Sequence, residues 1–382
     1  MVLEALQSFL TSILVAYLGV TGSLATYIED KLAVGEQPIH ETAVSLDTPE
    51  ESFPSAELST LSRLYATTSG VSRVLFEDVA FQNAFEGTQH EATVAASLGA
   101  ATIDESVSDA LVNIFCEYKT DTYARTTTGT GFFIHENGVI LTNAHVAQFL
   151  LLESVDTTVR DAHCVIRTGD PATPKYHADL LFISPTWILN NARLITSPHP
   201  RGTGEYDYAL LYISESLTDE PIPKSFPALP VYTELLSRTL RGTTVVTAGY
   251  PAEELSRNGK ESPLEPRVAE TTLGELYTFG SNYADIFSIA ESPVGEQGAS
   301  GGPVISDSLG TIGLIVTKGD QEVEGERSLR ALTLSYINRT ITEETGFSLI
   351  QNSGGDLKFR SGVFKEVLAP FLGRLLVYEI EE

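Results

Sequence analysis

The stretch Gly129-Thr130-Gly131-Phe132-Phe133-Ile134-His135-Glu136-Asn137-Gly138-Val139-Ile140-Leu141-Thr142-Asn143-Ala144-His145-Val146 decides the fold. Two short apolar runs, Gly131–His135 and Val139–Thr142, flank Glu136-Asn137-Gly138. Asn-Gly between such runs suits the positive φ angles of a type I′ turn, so the spacing predicts a tight β-hairpin. The same texture continues on both sides. Leu111–Tyr118 precedes the hairpin, and His163–Arg167, Ala178–Ser184 and Tyr208–Ile213 follow it. A second set comprises Thr243–Ala248, Leu273–Thr278, Ile286–Ala290, Pro303–Ile305, Thr311–Thr317 and Leu332–Ile337. Many brief apolar runs, bounded by Gly, Pro, Asn and Asp and without long helical patterns between them, argue for an all-β barrel or sandwich. Two sets of six predict a double six-stranded β-barrel.

Composition narrows the class. The chain has 382 residues, is 42% hydrophobic and carries 24 basic against 51 acidic side chains, a net charge of −27. That apolar fraction supports a sizeable core, which excludes wholesale disorder. The negative surplus repels phosphate backbones and makes nucleic acid an unsuitable partner. Two cysteines, with no Cys-x-x-Cys pair, exclude a disulfide-dense scaffold and the common zinc modules.

The first 28 residues read as a membrane anchor or signal segment. The 24 residues Ala5–Ile28 contain no charge. As a helix at about 1.5 Å per residue they span a hydrocarbon core of roughly 30 Å. Ser23-Leu24-Ala25 offers a small-x-small cleavage site as the alternative, although Glu4 and the lack of Lys or Arg before the apolar run argue against cleavage. A single-pass membrane protein with its remaining chain extracytoplasmic is therefore expected, or a secreted one. Residues 29–105 read as an acidic stalk with short helices; from Glu29 to Asp109 there are fifteen Asp/Glu against three Lys/Arg. Phe364, Val367, Leu368, Phe371, Leu372 and Leu375 recur at helical spacing, predicting a C-terminal helix within a tail at 346–382.

Three islands carry chemistry. His145 closes the hairpin strand after a small residue, which places it at a barrel mouth. Asp207 opens the apolar run Tyr208-Ala209-Leu210-Leu211, and Ser300 sits in Gly295-Glu296-Gln297-Gly298-Ala299-Ser300-Gly301-Gly302-Pro303. Glycines there let the backbone turn sharply, aiming amide N–H groups inward while the hydroxyl stays exposed. Each island alone fits an ordinary turn or core residue. In the order His, Asp, Ser on a β framework they fit nucleophilic catalysis.

The three islands resemble those of trypsin/chymotrypsin-fold serine proteases, and most of all the Deg/HtrA branch. That branch shows a Gly-x-Gly strand, a Thr-Asn-x-His-Val motif, an Asp-x-Ala strand and a Gly-x-Ser-Gly-Gly-Pro loop. The resemblance covers roughly 106–345 and implies a serine endopeptidase acting on protein or peptide substrates, with no metal and no organic cofactor. It implies Ser300 as nucleophile, His145 as general base, Asp207 as its orienting carboxylate, and the Gly298 and Ser300 amides as an oxyanion hole. Val294, six residues before Ser300, would lie at the base of the specificity pocket, with Val316 and Thr317 in its wall. With no carboxylate at Val294, cleavage after small or medium apolar residues is expected. Ala299 stands where zymogen-activated relatives carry an aspartate, so activity without propeptide cleavage is expected. Only 37 residues follow position 345, too few for the PDZ domain of Deg relatives, and residues 29–110 show no signature of the trimer that such relatives often form. A catalytically silent peptide-binding module on the same fold is the alternative.

Cys116 and Cys164 fall on the first and fourth expected strands, neighbours in a closed six-stranded barrel of this topology, so a disulfide and two buried thiols both remain open. His163 and His177 match no zinc spacing, and Asp320–Arg327 reads as a solvated acidic loop. Thr186–Glu205, with Trp187, reads as an insertion at the cleft rim.

Overall fold

The computed structural model describes residues 106–381, apart from 120–123, 154, 156–160, 198–201, 253–261, 291, 293, 295–297 and 319–328. The hairpin around Asn137 joins β2 (Ala124–His135) to β3 (Val139–Thr142). Its turn is not type I′, which requires positive φ at both central residues. Only Gly138 is left-handed, at φ 83°, and its N–H donates to His135 O at 3.1 Å. The register shifts between Phe133 and His135, so the connection is a three-residue loop with a bulge.

The strands close into two barrels. The first contains β1 (Leu111–Lys119), β2, β3, β4 (Asp161–Thr168), β5 (Thr173–Ile183) and β6 (Ala209–Ser216), in the order β1-β2-β3-β6-β5-β4. The second contains β7 (Thr244–Gly249), β8 (Arg267–Tyr277), β9 (Ile286–Ile289), β10 (Pro303–Ser306), β11 (Gly310–Lys318) and β12 (Leu329–Thr333), in the order β10-β11-β12-β9-β8-β7. Every pairing between these strands is antiparallel, and among the described residues barrel closure leaves neither sheet with an edge strand. Val245, Leu273, Phe287, Ile289, Val304, Ile312 and Ile315 fill the second barrel; Ile114, Phe132, Ile140 and Leu210 are fully buried in the first.

The last expected strand, Leu332–Ile337, is half wrong. β12 ends at Thr333, whose hydroxyl accepts from Tyr336 N at 3.0 Å and caps helix α4 (Leu334–Thr345). Leu334, Ile337 and Ile341 then recur at helical, not alternating, spacing and are all fully buried. Earlier, two short turns of helix, α1 (Ala144–Ala147) and α2 (Phe149–Leu152), follow β3, and α3 (Pro185–Asn191) with a 3-10 turn (Ala192–Thr196) follows β5. After α4 come α5 (Leu349–Asn352), α6 (Leu357–Val367) and α7 (Ala369–Glu381).

The expected C-terminal helix is thus two, broken at Leu368, and it does pack on the first barrel. α6 lies on β5, while α7 lies on α2, α3 and the 3-10 turn. A β-carbon at Gly373 would stand 2.8 Å from Leu151 O, so glycine permits this approach. Trp187 is buried in α3, and Arg125 donates to Ile195 O and Ser197 O. The segment after β5 is therefore a docking element for the C-terminal helices, at least through Ser197.

Cys116 and Cys164 face each other in the β1–β4 register and form a disulfide. Their sequence separation of 48 gives about 4 kcal/mol of stabilisation in the chain-entropy account. Reduction, or Cys116→Ser, is expected to lower the unfolding free energy by about 2–4 kcal/mol, read as a lower denaturant midpoint, with the β-sheet circular dichroism signature kept. An unchanged midpoint after verified reduction would count against the bond as a stabilising link.

No helix among the described residues is long and apolar enough to cross a membrane. Ala5–Ile28, the stalk expected at 29–105 and the whole Asp320–Arg327 loop lie outside the described residues.

Candidate active site

β3 runs directly into the short helix α1, and that junction sets His145 at the end of the first barrel. Asn143, the residue before α1, is extended and fully buried, and its amide donates to Asp207 O at 2.9 Å. Gln148 donates to His145 O at 2.9 Å, which fixes the histidine backbone from the other side.

Asp207 arrives on a turn. Its N–H donates to Gly204 O at 3.2 Å, and Tyr206 is left-handed at φ 56°. The carboxylate is 4% exposed and both of its oxygens meet His145: Oδ2 lies 2.7 Å from Nδ1, and Oδ1 accepts the backbone N–H at 2.9 Å. Two contacts to one residue fix the imidazole in position and angle. With Nδ1 donating to the carboxylate, the neutral ring has its lone pair on Nε2. Burial disfavours the charged ring, but the Asp207 charge and hydrogen bond outweigh it, so His145 titrates above the usual histidine range.

Ser300 is half-buried in a loop pinned to the first barrel. Its carbonyl accepts Thr130 N at 2.8 Å, and Gly301 N donates to Ile315 O at 2.8 Å. Thr130 does more than sequence reading had foreseen. Its hydroxyl donates to Gly298 O at 2.8 Å and accepts Tyr250 N at 2.9 Å, while its own carbonyl accepts the Thr142 hydroxyl at 2.7 Å. One buried threonine therefore ties the serine loop to the strand that leads into His145. The available signal was a hydroxyl between two glycines at an otherwise apolar strand end.

Close approach dictates the glycine that follows Ser300. Gly301 has φ 90°, and a β-carbon there would fall 1.9 Å from Thr130 O and 2.6 Å from Thr142 Oγ1. Gly301→Ala is expected to cost at least about 3 kcal/mol, because left-handed strain and overpacking add. Urea denaturation checks this, and a change below about 0.5 kcal/mol would contradict the approach.

Asp207 and His145 are thus brought together, and Ser300 is tied to the strand beside them. Among the described residues, no hydrogen bond joins the Ser300 hydroxyl to the His145 ring, and neither the Gly298 nor the Ser300 amide is used by another backbone carbonyl. Gly298 is left-handed at φ 99° and sits against Tyr250 O and Ala252. Val294 is fully buried behind Gly249, with Cγ1 3.2 Å from where a β-carbon on Gly249 would stand. Val316 is buried against Gly204 of the Asp207 turn, while Thr317 lies in β11 opposite Arg330. No cluster of three or more His, Cys, Asp or Glu side chains able to hold a metal occurs among the described residues. His163 lies 3.7 Å from Glu117, and His177 contacts Cys164 O at 3.3 Å.

Residues 129–314 match the family described as trypsin-like peptidase domain. No curated protein matches the chain. Similar solved structures include the Rv3671c protease from M. tuberculosis in its active form, at 18% identity over 70% of this chain and 96% of that one, with a TM-score of 0.39. An inactive serine-to-alanine mutant of the same protease matches at 17% identity over 67% and 98%, with a TM-score of 0.39. The family match over residues 129–314, just under half of the chain, and the double barrel together show a trypsin-like peptidase domain in this chain, which supports a serine hydrolase.

Proposed function

We propose that the protein is a serine endopeptidase in which Ser300, His145 and Asp207 act as nucleophile, general base and orienting carboxylate. The observation that carries this reading is the doubly bonded His145–Asp207 pair, which turns Nε2 away from the carboxylate with its lone pair available. Ser300 Oγ attacks the substrate carbonyl carbon as its proton passes to Nε2. The Gly298 and Ser300 amides stabilise the resulting oxyanion. Nε2 then returns the proton to the leaving amine, which departs and leaves an acyl-enzyme. A water loses its proton to Nε2, attacks the acyl carbon and frees the acid, restoring the Ser300 hydroxyl.

Cleavage after small or medium apolar residues is part of the proposal. Val294 supports it, since a buried Lys or Arg side chain there would lack a partner carboxylate. An extracytoplasmic setting, with Ala5–Ile28 as the anchor, is supported by that uncharged stretch and by the Cys116–Cys164 disulfide, a bond favoured in oxidising compartments. The test pairs a fluorophosphonate probe with casein digestion, followed by mass spectrometry of the new termini. Labelling of wild type together with apolar residues before the cut sites is the expected result. An unlabelled wild-type protein would favour the silent peptide-binding module, and preferred cleavage after Arg would overturn the pocket assignment.

A further inference from the structure

α4 belongs to the second barrel, yet it grips the first barrel on both sides of Asp207. Tyr336, Thr340 and Glu344 are spaced four apart and so share one helix face. At one end, the Tyr336 hydroxyl accepts the Tyr206 backbone N–H at 3.2 Å. At the other, Glu344 Oε2 accepts the Tyr208 hydroxyl at 3.3 Å. Its Oε1 accepts Ser184 Oγ at 2.9 Å and Thr186 Oγ1 at 2.7 Å. Thr340 ties the ladder together by donating to Tyr336 O at 3.0 Å. The residues before and after Asp207 are therefore both held by one helix.

Two features say that this grip does more than fill space. Tyr206 is the only non-glycine residue with positive φ among the described residues, and it immediately precedes Asp207. Such a conformation persists only where surrounding contacts over-determine it, and it concentrates at functional sites. Second, Glu344 is a partly buried carboxyl whose titration burial pushes up to about 7. Its hydrogen-bond partners, Ser184 and Thr186 at the start of α3 and Tyr208 just before β6, are all uncharged. A carboxyl placed where its charge is disfavoured is a poor filler compared with an apolar side chain of similar size.

We infer that Tyr336 and Glu344 are positioning residues that set the Asp207 carboxylate against His145 by holding Tyr206 and Tyr208. The inference rests on the proposed triad. Rigid placement of the turn keeps both carboxylate contacts to His145 in register, one to the ring and one to the backbone. Losing either hold lets the turn relax from its left-handed residue and loosens both contacts at once.

Tyr336→Phe removes only the hydroxyl, and Glu344→Gln keeps the shape. Both are compared with wild type in the full chain, with active sites counted by fluorophosphonate titration. Each variant is expected to lower kcat per titrated site by roughly tenfold, with KM changed less than about twofold. The acid limb of kcat/KM should move to lower pH, because a loosened Asp207 raises the His145 titration less. Glu344→Asp, a shorter carboxylate, should recover part of the kcat. A merely structural role predicts otherwise: a lower melting temperature or fewer titratable sites, with kcat per site and the acid limb of wild type. That outcome in both variants overturns the inference. Absence of titratable sites in wild type, or undiminished activity of Ser300→Ala, overturns the triad instead, so the two failures are told apart.

Discussion

Ser300→Ala is expected to lower kcat for peptide hydrolysis by about 10⁶ while the protein stays folded. The substitution deletes one oxygen from a half-buried side chain that makes no hydrogen bond among the described residues, so little native contact is lost. The loop's fixings are main-chain bonds, from Thr130 N to Ser300 O and from Gly301 N to Ile315 O, and alanine keeps both. What disappears is the proposed nucleophile. Fluorophosphonate labelling should vanish in parallel. Residual turnover of about 10³–10⁴ over the uncatalysed rate should remain, from substrate positioning and the Gly298 and Ser300 amides. Active-site titration with kcat measurement decides the matter. Retention of a tenth of the activity would remove Ser300 from the chemistry.

Asp207→Asn carries the second-largest effect, about 10⁴ in kcat, for a different reason. The side chain keeps its volume, but its amide nitrogen donates where a carboxylate oxygen accepted. An amide facing Nδ1 makes that nitrogen the acceptor and drives the ring proton to Nε2, where it blocks proton transfer from Ser300. The pH profile separates this from simple misfolding. In wild type, kcat/KM should fall as pH drops through the His145 titration, which lies above the usual histidine value because Asp207 favours the charged ring. Removing that charge leaves burial, which acts in the opposite direction, so the acid limb of the variant should move to lower pH. A limb that stays in place while kcat collapses would mean that Asp207 does not face the titrating imidazole.

Much of this was legible along the chain. Short apolar runs bounded by Gly, Pro, Asn and Asp gave all twelve strands in two sets of six, because a buried strand needs only local side chains of the right kind. Boundaries suffered where local propensity is silent. Leu332–Ile337 reads as a strand, yet Thr333 caps a helix there, since its hydroxyl can satisfy the Tyr336 N–H. Asn137-Gly138 reads as a type I′ turn, but a bulge in β2 takes up the twist and leaves Asn137 with negative φ. The segment after β5 reads as a rim insertion, whereas Trp187 and Ile195 are buried where the C-terminal helices dock. That docking pairs segments nearly two hundred residues apart, which no local pattern reports.

By itself the sequence determined the strand count, the residue types at the three islands and the apolar character of Val294. These depend on side-chain chemistry and on neighbours a few positions away. Only the tertiary structure decided the rest. It set both Asp207 oxygens on His145, made Thr130 the tie between the barrels and placed Tyr336 and Glu344 on either flank of Asp207. It also closed Cys116 on Cys164 across one register of β1 and β4. The reason is physical: a hydrogen bond requires placement to a few tenths of an ångström, and such placement comes from the closure of two barrels against each other, a property of the whole chain and of no window within it.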